Sequence, residues 1–233
     1  MNFRTFAIGL TASFGLAWLA VVVVPFFKMR DIAPVAFQEG IDPQSGIYHP
    51  KTSGRVVNGY QVYAENGCYQ CHTQVVRPTY AGNDLGRADF AGIKDDPDRG
   101  DTRRESNPFD YKGLDYAPVG VSRNGPDLMN YGRRLLRAHP TDAEQYLYRR
   151  LYNPRFDPAV SWSNCPSLPF LFEKKEIMGQ KSDHAVEGKV KEGFEIIPGP
   201  KARALASYLM SLQHDDAVPA SMNYAPAPTN PEG

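Results

Sequence analysis

Two cysteines two residues apart, with a histidine directly after the second, constrain this chain more than any other feature: Cys68-Tyr69-Gln70-Cys71-His72. C-x-x-C-H is the attachment pattern of a c-type haem. The spacing suits the chemistry. Two thiols on one turn can each add to a vinyl group of one porphyrin, and the adjoining imidazole then lies under the iron as proximal axial ligand. Other uses of the cysteines fit less well. A redox dithiol belongs in a βαβ setting, which the flanking sequence lacks. A structural zinc site needs four ligands, and there is no second cysteine pair. Cys165, the third cysteine of the chain, is odd, which argues against a disulfide framework.

The formal net charge is zero, from 26 basic and 26 acidic residues, and the basic residues form no stripe. Nucleic acid is therefore not an expected partner. Residues 5–27 carry no charge and are mostly apolar, long enough to cross a bilayer as a helix. A cleavable signal peptide would have a shorter apolar region followed by a small-residue cleavage site. Here Phe26-Phe27-Lys28-Met29-Arg30 follows instead, which reads as a retained single-span anchor with its flanks over residues 1–30. Arg4 precedes the span while Lys28 and Arg30 follow it, so the positive-inside rule does not favour an inside N-terminus. The haem motif argues the other way, since c-type haem is usually attached on the outer face of the bacterial cytoplasmic membrane. The expectation is a single-pass inner-membrane protein with its haem domain on the periplasmic side.

Residues 31–53 read as an irregular linker containing Pro34, Pro43 and Pro50. Residues 54–213 leave room for one core domain enlarged by loops, as Gly 20 and Pro 20 suggest. Its first helix is expected over residues 54–66, with Val56, Tyr60 and Tyr63 on one face and Gly59 admitting a close helix crossing. After the haem motif, Arg77 is either a partner for a haem propionate, with Gln74 supporting it, or a surface charge. Residues 80–106 read as a solvated loop of both charge signs. Its acidic cluster (Asp95, Asp96, Asp98, Asp101) lacks calcium-loop spacing. Asn124-Gly125-Pro126-Asp127-Leu128 is a tight turn leading into a short helix through Arg137. In a haem domain the Pro126 carbonyl can accept a hydrogen bond from the proximal histidine's Nδ1–H, which orients the ring.

A further helix opens at Pro140, with capping-box spacing at Thr141 and Glu144, and stops near Tyr152 before Asn153-Pro154. Tyr146, Leu147, Arg150 and Leu151 offer it one packed face. Residues 155–181 form a proline- and aromatic-rich loop suited to the far wall of a haem crevice, because exposing Trp162, Phe170 and Phe172 is unfavourable. The last helix spans residues 200–213, with Leu205, Tyr208, Leu209 and Leu212 as its apolar stripe. Residues 214–233 read as a disordered tail.

This order of elements resembles a mainly α, class I cytochrome c domain with long loops, tethered by one N-terminal transmembrane helix. Cys68-Tyr69-Gln70-Cys71-His72-Thr73-Gln74-Val75-Val76-Arg77-Pro78 resembles the signature of subunit II of the cbb(3)-type cytochrome c oxidases. Gly125-Pro126-Asp127-Leu128, Leu151-Tyr152-Asn153-Pro154-Arg155 and Ser163-Asn164-Cys165-Pro166 resemble that family's later motifs, in the same order. The resemblance implies one covalent haem c and an electron relay to the catalytic subunit of a terminal oxidase in aerobic respiration. It implies as partners a multi-span haem-copper subunit, other cytochrome c subunits and the membrane. No substrate chemistry is implied for this chain alone. One departure stands out. The family carries methionine where this chain has Cys165, so the sixth iron ligand is open among Cys165, Met178 in the same extended loop, and His184 or an open site. Cys165 as a small apolar filler is a further alternative. The altered position motivates a second function, a membrane-tethered haem sensor or small haem enzyme. A haem-free redox or metal-binding module using Cys68 and Cys71 is a third.

Overall fold

The computed structural model of the chain describes residues 2–30, 52–111 and 113–216. Most of the linker read at 31–53 and of the tail read at 214–233 lies outside the described residues. Helix α1 (Phe3–Trp18) opens at Asn2, whose side chain accepts the Thr5 backbone N–H at 2.9 Å. Such a cap satisfies one of the donors that a helix start leaves unpaired. The helix continues through a π turn over Leu19–Val23 into α2 (Val24–Met29). Pro25 accounts for the turn. It has no N–H to donate and its ring crowds the carbonyl four residues back. The Val24 N–H bonds to Leu19 O, five residues back. Phe3–Lys28 forms one helical run of 26 residues, none of its apolar window buried. At about 1.5 Å per residue it is about 39 Å long, enough to cross a hydrocarbon core of about 30 Å.

The rest of the described chain holds four further α-helices and a small two-stranded sheet, joined by long irregular segments with short 3-10 turns. Helix α3 (Gly54–Glu65) is capped by Ser53, whose hydroxyl accepts the Val56 N–H at 3.4 Å. It crosses α6 (Pro200–Ser211) at Gly59. A Cβ at Gly59 would overlap the Ala204 carbonyl oxygen and lie 2.6 Å from Tyr208 Cβ. Only glycine allows the two backbones to touch there. Around this crossing Tyr60, Tyr63, Leu205, Tyr208, Leu209 and Leu212 are all buried. The Tyr208 ring meets Tyr60 edge-on at a centroid distance of 5.8 Å and Tyr63 tilted at 5.5 Å, as aromatic quadrupoles favour.

Helix α4 (Tyr131–Ala138) reaches α6 through a second glycine. A Cβ on Gly132 would overlap the Met210 carbonyl, and the Gly132 N–H donates to Leu212 O at 2.9 Å. Helix α5 (Ala143–Tyr152) begins at Asp142, without a side-chain cap. The expected Thr141–Glu144 capping box is not formed. With Asp142 at the cap, Thr141 lies one residue outside the helix, and Glu144 instead accepts the Tyr148 hydroxyl at 2.5 Å. Leu147 and Tyr148 are buried, while Tyr146, Arg150 and Leu151 are half-buried.

Two expectations about loops are corrected. The segment read as irregular over 155–181 contains strand β1 (Phe172–Glu176), antiparallel to β2 (Phe194–Pro198), with Lys174 opposite Ile196. β1 is nearly all charge and its last four residues are exposed, so it shows no apolar alternation to read. The loop at 80–106 is not merely solvated. Phe90, Ala91 and Ile93 are buried, and Val76, Ala91 and Met129 form a second small core. Arg99 pairs with Asp96 at 2.9 Å and Arg103 with Asp101 at 2.7 Å within the loop, and Arg104 with Asp110 at 2.6 Å just beyond it. Arg99 and Arg133 also hold Asp215 at 3.1 Å and 2.9 Å, and Asp215 is buried. The chain therefore stays packed past residue 213, beyond the expected start of the tail.

Gly59→Ala is expected to destabilise the domain by about 3 kcal/mol, because backbone and a Cβ must move apart to admit the methyl group. Gly54→Ala, where nothing lies within 4 Å, is the control and leaves stability unchanged or slightly raised. Urea unfolding of the detergent-solubilised full-length protein measures both.

Candidate functional site

Helix α3 delivers the Cys68–His72 stretch. It ends at Asn66, and Gly67 adopts φ +65, a left-handed conformation that lets the chain reverse at once. One 3-10 turn over Cys68–Gln70 follows, and the His72 N–H returns to Cys68 O at 3.1 Å. No disulfide joins any of the three cysteines. Burial pushes the Cys68 thiol up to about 11, with Cys165 adding to the rise. Burial also raises Cys165, where Arg150 pulls the other way and Cys71 adds to the rise. The three sulfurs thus share one neighbourhood, although Cys165 is distant in sequence.

The imidazole of His72 is held from one side. Its Nδ1 lies 2.7 Å from the Pro126 carbonyl oxygen. A carbonyl only accepts, so Nδ1 carries the proton and Nε2 keeps its lone pair. Gly125 makes the approach possible, because a Cβ there would overlap Cε1 and lie 2.7 Å from Nδ1. Gly120, at φ +88, packs on the neighbouring backbone, where a Cβ would lie 2.7 Å from Thr73 Cα. Backbone bonds tie the two segments together. Gly125 N–H donates to Cys71 O at 2.8 Å, Leu128 N–H to Thr73 O at 2.8 Å, and Val121 N–H to Tyr69 O at 2.9 Å.

Two buried carboxylates lock the same junction, and sequence reasoning missed both. Asp127 accepts Thr73 Oγ1 at 2.6 Å, Val75 N–H at 2.9 Å and Met129 N–H at 2.8 Å. Burial raises its pKa, against the pull of the Thr73 hydrogen bond. Asp84 accepts both terminal nitrogens of Arg123 at 2.8 Å, together with the Arg77 N–H at 2.8 Å and Arg77 Nη2 at 2.9 Å. Burial alone would raise Asp84, but the hydrogen bonds from Arg123 and Arg77 outweigh it and hold the carboxyl well below the usual range. Arg123 Nε also donates to Thr73 Oγ1 at 2.8 Å. The Asp84–Arg123 and Thr73–Asp127 pairs span 39 and 54 residues. No local sequence signal announces them.

The other residues singled out from the sequence fall as follows. Arg77 turns its Nε and Nη2 onto Asp84, an engagement its two expected roles did not include. Gln74 is buried and accepts the Tyr208 hydroxyl at 2.8 Å, facing α6. Cys165 sits in a loop gripped by Arg155, which donates to the carbonyls of Ser163 at 2.8 Å and Cys165 at 3.1 Å. Met178 is 86% exposed beyond the end of β1, and the His184 ring meets Tyr148 edge-on at 5.7 Å. In the loop around Cys165, Trp162 is 77% and Phe170 68% exposed, so this chain alone leaves both rings uncovered, contrary to the expectation for a crevice wall. Phe172 is half-buried against Tyr152.

Chemically, the arrangement presents two thiols on one turn, an imidazole with its outer nitrogen open, and a third sulfur in the same neighbourhood. Among the described residues no group of three or more His, Cys, Asp or Glu side chains converges as a metal site. No protein-family model matches the chain, and no curated protein matches it.

Asp84→Asn is expected to lower stability by about 3 kcal/mol near pH 7, because it strips a buried pair of its anion. The sign with pH follows from the depressed pKa. The native carboxylate stabilises fully above about pH 4 and loses that contribution as the pH falls towards its folded pKa. The Asn variant lacks this part of the acid slope, which urea midpoints taken between about pH 3 and about pH 7 measure.

Proposed function

We propose that the chain is a membrane-anchored mono-haem c-type cytochrome of class I fold, similar to subunit II of the cbb(3)-type oxidases. In this reading it relays electrons to the catalytic subunit of a terminal oxidase in aerobic respiration. The observation that carries it is the pairing of His72 Nδ1 with Pro126 O beside two thiols of one turn. That pairing leaves Nε2 as the nitrogen free to bind a metal.

Cys68 and Cys71 would hold the porphyrin through thioethers, and His72 would be the proximal ligand. A haem bound there supplies a one-electron ferric/ferrous couple. The protein's own residues do the rest. Pro126 keeps the proton on Nδ1, and Gly125 lets the ring lie against the backbone. Trp162 and Phe170, both exposed in the loop around Cys165, are apolar surface that a flat hydrophobic group would cover. The crossed helices α3 and α6 give the motif a rigid base, so little reorganisation accompanies a change of charge. The N-terminal helix would tether the domain, on the periplasmic side of the bacterial cytoplasmic membrane, beside a multi-span haem-copper subunit and other cytochrome c subunits. Tethering raises the local concentration of donor at acceptor.

A second reading, a membrane-tethered haem sensor or small haem enzyme, draws on the distal side. Cys165 replaces the family's methionine and is exposed, and Met178 is 86% exposed. Rapid stoichiometric binding of carbon monoxide to the reduced protein supports this second reading, and no binding supports the relay.

In a host competent for c-type attachment, Cys68→Ala and Cys71→Ala are each expected to reduce covalent haem in the pyridine haemochrome assay. His72→Ala should keep the thioethers and lose the normal axial ferrous spectrum. An unchanged ferrous spectrum in that variant would defeat the proximal assignment. The native chain should co-purify with a large multi-span haem-copper subunit, and detergent-solubilised protein that always runs alone contradicts the relay.

A further inference from the structure

We propose that Thr73 and Asp127 are positioning residues for the proximal histidine, acting through the backbone on either side of the His72–Pro126 hydrogen bond. This rests on the reading of His72 as an iron ligand. Each residue directly follows one partner of that bond: Thr73 follows His72, and Asp127 follows Pro126. Their side chains meet at 2.6 Å, Thr73 Oγ1 donating to Asp127 Oδ2, with both residues buried. The His72–Pro126 contact is a single hydrogen bond to an exposed ring. Two backbone bonds flank it, Gly125 N–H to Cys71 O and Leu128 N–H to Thr73 O, both at 2.8 Å, and join segments 54 residues apart.

The two side chains add a buried side-chain restraint to these backbone bonds. The Asp127 carboxylate gathers Thr73 Oγ1, Val75 N–H and Met129 N–H, so it fixes the segment leaving His72 and the turn leaving Pro126 to one point. The Thr73 hydroxyl uses its hydrogen towards Asp127 and accepts from Arg123 Nε at 2.8 Å. Arg123 is itself anchored by Asp84 at 2.8 Å and donates to Val75 O at 2.8 Å. The hydroxyl is therefore used as donor and acceptor at once, and a methyl group of the same shape serves neither role. Loss of either partner leaves a buried polar group unpaired, which favours separation of the two segments. The bond that separation would weaken is the one that holds the proton on Nδ1 and sets the direction of Nε2.

The test uses the full-length haem-loaded protein in detergent and follows the hyperfine-shifted Nδ1–H resonance of the axial histidine by NMR after transfer to D2O. Thr73→Val is expected to speed its exchange by about tenfold, and Thr73→Ser, which restores the hydroxyl, to stay near the native rate. Asp127→Asn, which keeps the size and one acceptor, is expected to fall between them and serves if Thr73→Val does not fold. Exchange unchanged in Thr73→Val, or in Asp127→Asn where Thr73→Val carries no covalent haem, would overturn the positioning role while leaving the cytochrome assignment standing. Exchange equally fast in Thr73→Val and Thr73→Ser would overturn it as well. If the unsubstituted chain carries no covalent haem, the functional reading fails, and this inference fails with it.

Discussion

The contact between α3 and α6 at Gly59 governs the geometry of everything else. With no side chain at that position, the α3 backbone rests on the Ala204 carbonyl. A ring of buried Tyr and Leu side chains closes round the contact, each adding about 1.5–3 kcal/mol through loss of water contact. Gly132 repeats the device between α4 and the end of α6. Since α3 runs straight into Cys68 and α4 begins just after Asp127, the two crossings bring the two segments that meet at His72 onto one frame. A helix pair held a few ångströms further apart would carry the motif away from Pro126.

On that frame, polar groups rather than apolar ones determine the local shape. The loop segments around His72 have few large side chains to pack, and they are joined by buried carboxylates that collect several donors each. A carboxylate with three or four donors is fully satisfied and tolerates burial, whereas one that loses a partner does not. Asp84 and Asp127 differ in electrical setting. Two arginines compensate Asp84, while Asp127 relies mainly on a hydroxyl and two amides, so burial shifts it in the opposite direction. The C-terminal end of the domain follows the same rule, with Asp215 held between Arg99 and Arg133.

Much of the frame was legible in the sequence. The apolar stripes of α3 and α6 repeat at helical spacing, Gly59 stood out as a small residue on a packed face, and Asn153-Pro154 closes α5. The apolar N-terminal run is unambiguous by length and composition, although its π turn at Leu19–Val23 follows from a backbone detail near Pro25 that composition does not reveal. Within the site, the thiols, the imidazole and the Pro126 carbonyl could be named because a short motif carries their chemistry. The restraints around them could not. Asp84–Arg123 and Thr73–Asp127 join residues far apart in sequence, and charged residues in a glycine- and proline-rich loop look solvated until the fold buries them. Strand β1 escaped for a related reason. Its charged residues hold a strand through backbone pairing with β2, and only β2 carries the buried Ile196 that makes the hairpin part of the core.

The account centres on one porphyrin joined covalently to Cys68 and Cys71. The most direct measurement is the intact mass of the purified protein, under denaturing conditions, from a host able to attach c-type haem. The account predicts a mass above the 25.9 kDa polypeptide by one haem. A mass equal to that of the bare polypeptide would contradict it.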